Sequence, residues 1–136
     1  MTERKPARPR DALGRPLAHD ALGVEPVSEV AVPPEEALAL AQELIDGGRA
    51  FSAHEVLEAV WKSCPAAERP LWQGLAQLCV GAVHHERGND TGAAALLARG
   101  AGRLREYDGP RYGVDLEGLL AWAEAAQWDR LRLRTR

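Results

Sequence analysis

The chain has 136 residues, 46% of them apolar, and a formal net charge of −3, which suits one folded domain and excludes two halves with separate cores. The charge is uneven: Arg4, Lys5, Arg8, Arg10 and Arg15 crowd the start and Arg130, Arg132, Arg134 and Arg136 the end, while 8 basic against 18 acidic side chains leave residues 16–129 at about −10. An acidic body repels phosphate backbones, so nucleic acid is expected only through the basic termini, and no apolar stretch approaches a membrane span or the core of a signal peptide.

Residues 1–32 are rich in Pro, Arg and Gly without a helical period and predict a flexible or strap-like arm. Leu13, Leu17, Leu22 and Val24 in that arm predict that part of it lies along the body. A helical domain is expected over 33–128. Its first helix runs from about Pro33 to Asp46, with prolines and Glu35–Glu36 suited to a helix start and Gly47-Gly48 to its end. Leu38, Ala41, Gln42 and Ile45 predict its inner face, widened by Leu40 and Leu44.

The second helix is predicted from about Ala53 to Cys64. Ser52 and Glu55 fit a capping box, and Phe51 with Val56 fits a hydrophobic staple. The third starts between Pro65 and Pro70 and runs to Arg87. On it Leu71, Leu75, Leu78 and Ala82 form an apolar stripe. Gly74, Gln77, Gly81, His84 and Gly88 form a second stripe, whose small residues allow a neighbour to come close. Cys79 reads as a small core residue, and Cys64 shares no metal or disulfide spacing with it.

The fourth helix is predicted from about Thr91 to Tyr107, capped by Asn89 or Asp90. Asp108-Gly109-Pro110 makes a turn. The fifth runs from about Leu116 to Trp128, capped by Asp115. Residues 129–136 are expected to be a basic tail, too charged and too late to build a sheet. Gly48, Ala53, Leu57 and Trp61 recur 40 residues later as Gly88, Ala93, Leu97 and Ala101. The expected fold is therefore all-α: a compact bundle of about five helices from two antiparallel helical hairpins, with tetratricopeptide-like packing as one way to stack them.

The segment from Phe51 to Trp61 carries H-E-x-x-E-x-x-W as His54, Glu55, Glu58 and Trp61. It is followed by G-L-x-Q-L from Gly74 and by H-x-x-x-G-N-x-x-G-A from His84 to Ala93. In this order and separation the chain resembles domain-of-unknown-function family 309 from about Pro34 to Tyr107. The resemblance implies a compact helical fold and no established activity. The arm and the fifth helix fall outside it.

Motif residues 54, 58 and 61 share a helix face. If that face meets the Gly74/Gly81 stripe, His54, Glu58, Gln77 and His84 converge, supported by Ser52, Glu55, Trp61, Gly74, Gly88 and Asn89. Such a cluster is read first as a buried hydrogen-bonded network that specifies the core. The alternative is a metal site. His54 and Glu58 at i, i+4, with His84 as third ligand, would suit zinc or iron in a metal-binding protein or metal-dependent enzyme. H-E-x-x-E lacks the second histidine of the metalloprotease helix, so no cofactor is expected. Metal-free catalysis by a histidine beside a carboxylate ranks lower, because no nucleophile is recognisable. The leading function is a cytoplasmic scaffold or protein-interaction module. It would take a protein or peptide partner, or a second copy of itself through Trp72, Trp122 or Trp128.

Overall fold

A computed structural model describes residues 32–125, 128 and 131–134. The readings made for residues 1–31 lie outside the described residues. Five α-helices follow one another among the described residues: α1 (Pro34–Asp46), α2 (Ala50–Ser63), α3 (Arg69–Glu86), α4 (Asp90–Glu106) and α5 (Leu116–Ala125), with a 3-10 turn at Ala66–Glu68. No helix among the described residues is long and apolar enough to cross a membrane.

Local chemistry explains most of the boundaries. Pro34 opens α1 with Glu35 and Glu36 in its first turn, where acids meet the positive end of the helix dipole. Asn89 caps α4 by accepting from the Gly92 N–H at 3.1 Å, and Asp115 does the same for Gly118 at 3.0 Å ahead of α5. The turns after α1 and α3 are built alike. Arg49 N–H donates to Leu44 at 2.7 Å and Asn89 N–H to His84 at 2.8 Å, and the glycine inside each turn has a positive φ, 75° at Gly48 and 78° at Gly88. Only glycine adopts that conformation cheaply, so the 40-residue echo in the sequence is an echo of turn geometry.

The start of α2 differs from expectation. The helix begins at Ala50, and its N-cap is Arg49, which makes no side-chain cap bond. Ser52 lies inside the helix, buried, accepting from Arg49 Nη2 at 3.3 Å. The capping box and the staple are therefore not formed. The reason is packing: Ala50 is buried against Ala82 and Val83, with Phe51 beside them, and helix from Ala50 onward is what carries both residues there.

The central helix α3 packs against α2 on one side and α4 on the other. Its glycine stripe faces α4. A Cβ on Gly74 would lie 3.1 Å from the Gly100 carbonyl oxygen, and one on Gly100 would lie 2.9 Å from that of Gly74. The two backbones touch, so neither position has room for a side chain. Leu57, Leu71, Trp72, Leu75, Leu78 and Leu104 fill the core around this crossing. Leu40, expected to widen the inner face of α1, is exposed instead, because Ala37, Leu38 and Ala41 bury the helix along a line that leaves it outside.

The core also reaches past Trp128, where the domain was expected to end. Leu131 is 4% exposed and Leu133 fully buried. Gln42 of α1 holds their backbone from both sides, donating to the Leu131 carbonyl at 3.1 Å and accepting from the Leu133 N–H at 2.8 Å. Asp115 N–H donates to the Leu133 carbonyl at 3.0 Å, and Val114 and Arg134 form an isolated antiparallel bridge. Within the expected basic tail of residues 129–136, the described segment 131–134 thus packs on the body as part of the fold.

Candidate binding pocket between α2 and α3

His54 and Glu58 sit one turn apart on α2, so their side chains rise from the same face. His54 Nε2 lies 2.8 Å from Glu58 Oε2, with the side chains 20% and 36% exposed. Lys62, a turn further on, places Nζ 3.3 Å from Glu58 Oε1. Opposite them, α3 presents Gln73, Ala76, Gln77 and Val80. Together with Trp61 these residues line a surface pocket of about 160 Å³.

Burial pushes the His54 imidazole below its ordinary 6.5, and the pull of Glu58 and of the Phe51 backbone only partly opposes it. The ring is neutral at pH 7. A carboxylate only accepts, so the single ring proton sits on Nε2 and points at Glu58. The other ring nitrogen, Nδ1, faces the Phe51 backbone, which favours the protonated ring. Nδ1 is buried, and no partner meets it at good hydrogen-bond geometry. The indole Nε1 of Trp61 is also buried without a hydrogen-bond partner. Two residues of the pocket thus carry such atoms, and Trp72 Nε1 in the core is another; they are exceptions in a folded interior.

The structure joins some of the expected cluster and separates the rest. His54, Glu58, Trp61 and Gln77 line the pocket. Gln77 does not bond either of the first two. Its Oε1 accepts from Arg103 Nε of α4 at 3.1 Å. His84 is elsewhere: its Nδ1 lies 2.9 Å from Asn89 Nδ2, over the start of α4. The separation follows from the glycine stripe. His84 belongs to that stripe, which turned to α4 and not to α2. The four-residue buried network is therefore replaced by a half-buried His54–Glu58 pair and two separate contacts.

Of the supporting residues, Gly74 makes the α4 crossing, Gly88 and Asn89 make the turn into α4, and Ser52 and Glu55 lie inside α2. Among the described residues no three His, Cys, Asp or Glu side chains stand close enough to hold a metal ion together. A neutral imidazole oriented by a carboxylate is an acid–base pair. The seven lining residues include no Ser, Thr, Cys or Lys to act as its nucleophile. Trp72 and Trp122, expected as self-association surfaces, are buried in the core at 0% and 8% exposure. Trp128 is half-buried, stacked on His85 with ring centres 5.2 Å apart and edge-on to Trp122 at 5.3 Å. Neither contact could be anticipated from spacing along one helix.

The fold and this pocket define an all-helical domain whose polar motif lies on the facing surfaces of α2 and α3. The family described as Domain of unknown function (DUF309) matches residues 38–96 of this chain. Uncharacterized protein YpuF of Bacillus subtilis (strain 168) is 45% identical over 49 residues, which span 35% of this chain and 28% of that relative. No solved structure matches the chain.

Proposed function

We propose that the chain is a helical interaction module, and that the α2/α3 pocket is where it grips a partner protein. One observation carries the reading. The pocket opens between two otherwise well-packed helices, and two of its lining residues, His54 and Trp61, hold buried polar atoms without hydrogen-bond partners. On the other side of α3 the crossing with α4 closes down to backbone contact at Gly74 and Gly100. A side chain from a partner would occupy the space that this fold leaves open. The matching turns at Gly48 and Gly88 support a tetratricopeptide-like pairing of helices, an architecture that presents grooves to peptides. Free Cys64 and Cys79 fit a reducing compartment, so the cytoplasm is the setting this reading carries.

The test is capture of partner protein by the full chain and by a Gln73→Trp variant, which fills the pocket from its half-buried rim. Loss of the captured protein in a variant that melts like the original supports the reading. Unchanged capture by the filled pocket overturns it.

A further inference from the structure

We propose that the pocket selects a basic side chain, an arginine presented by a peptide segment of the partner. The inference rests on the reading of the pocket as a protein-binding site and names what enters it. The lining carries a single formal charge at neutral pH, the Glu58 carboxylate, since His54 next to it is neutral. The indole of Trp61 and the side chains of Gln73 and Gln77 line the same pocket. An aromatic ring beside a carboxylate is how proteins hold ammonium and guanidinium groups.

The acceptors at the rim already take cations from this chain. Lys62 Nζ rests on Glu58 Oε1, and Arg103 Nε donates to Gln77 Oε1. Lys62 is 65% exposed, and a pair that open to water is readily exchanged for an incoming cation. Arginine suits the place better than lysine. Its planar fork can engage a carboxylate while its face lies on an indole. The chain's formal net charge of −3 does not oppose the approach of a basic segment.

The experiment uses the full chain and two capped five-residue peptides, one with a central arginine and one with citrulline, its uncharged isostere. Binding is followed by the Trp61 indole N–H signal in two-dimensional NMR, assigned by its loss in Trp61→Phe. The arginine peptide is expected to bind about fivefold or more tighter than its twin. The advantage should disappear in Glu58→Gln and shrink as salt rises from roughly 0.05 to 0.5 M. Lys62→Ala, which removes the resident cation, should tighten arginine binding by about twofold. Glu58 is half-exposed, so Glu58→Gln should keep the wild-type NMR pattern away from the pocket. Equal binding of the two peptides would overturn the charge selectivity and leave the pocket a binding site. Binding of neither, with partner capture still lost in Gln73→Trp, would overturn this inference alone. Binding of neither, with capture intact in Gln73→Trp, would overturn both.

Discussion

His54 should leave a signature in the pH dependence of stability. Its folded pKa lies below 6.5, mainly through desolvation. Between that lower value and 6.5 the unfolded chain takes up a proton that the folded chain does not, so stability rises with pH across the window. It is full above 6.5 and falls as the pH drops beneath it. Thermal melts between about pH 7.5 and 5.5 should therefore show a steeper decline for the wild type than for His54→Gln. Equal slopes would mean that the imidazole is not desolvated. Cys79 provides a second check at this scale. Burial pushes its thiol up to about 12, and Cys64, half-buried, is raised as well. A thiol reagent on the native protein should label Cys64 alone, and Cys79 only once the chain is unfolded, as read by mass spectrometry of the two peptides. The His54–Glu58 pairing was legible in the sequence because i, i+4 on one helix brings two side chains together whatever surrounds them. The place of His84 was not, because it depends on which neighbour the α3 glycine stripe meets.

At the scale of elements, the α3–α4 crossing is the contact most sensitive to substitution. Gly100→Ala puts a Cβ 2.9 Å from the Gly74 carbonyl oxygen and 3.0 Å from Leu78 Cδ2. Backbone cannot yield as a flexible side chain does, so a loss of about 1–3 kcal/mol is expected from chemical denaturation. Gly102, two residues on in the same helix, has nothing within 4 Å of its added Cβ. Gly102→Ala should stabilise the protein by about 0.5–1 kcal/mol, since alanine is the better helix former. Opposite signs from two glycines in one helix would separate crossing from propensity. The bounds of α1, α4 and the start of α5 agree with those anticipated, because prolines, glycines and capping Asn89 and Asp115 act through their own backbone. The start of α2 disagrees, because burial of Ala50 against Ala82 and Val83 on α3 outweighs the local cap signal of Ser52.

Over the whole molecule, the far end of the chain is fastened to its first helix. Ending the chain at residue 130 would remove two buried leucines, Leu131 and Leu133, at about 1.5–3 kcal/mol each. That is a large part of a domain's typical 5–15 kcal/mol, roughly speaking, so the truncated chain should melt far lower or fail to fold cooperatively. Gln42→Ala leaves the leucines in place but removes the groups that pair with the Leu131 carbonyl and the Leu133 N–H. A loss of about 1–3 kcal/mol is expected, measured by urea unfolding. Near-wild-type stability in both variants would show that the segment is not part of the cooperative unit.

The sequence by itself determined the number of helices, most of their ends and the pairing of His54 with Glu58, because these follow from torsional preference, capping and spacing within one element. The tertiary structure alone decided which face met which. Arg-Leu-Arg-Leu-Arg reads as a charged tail until Gln42, some 90 residues away, supplies partners for its backbone and the core takes its leucines. Trp72 and Trp122 read as surface anchors until packing encloses them. The glycines of α3 permit a close neighbour without naming it. Gly100 on α4 could accept that approach at backbone distance, whereas α2 brings Glu58 and Trp61 to α3 and leaves a pocket between them.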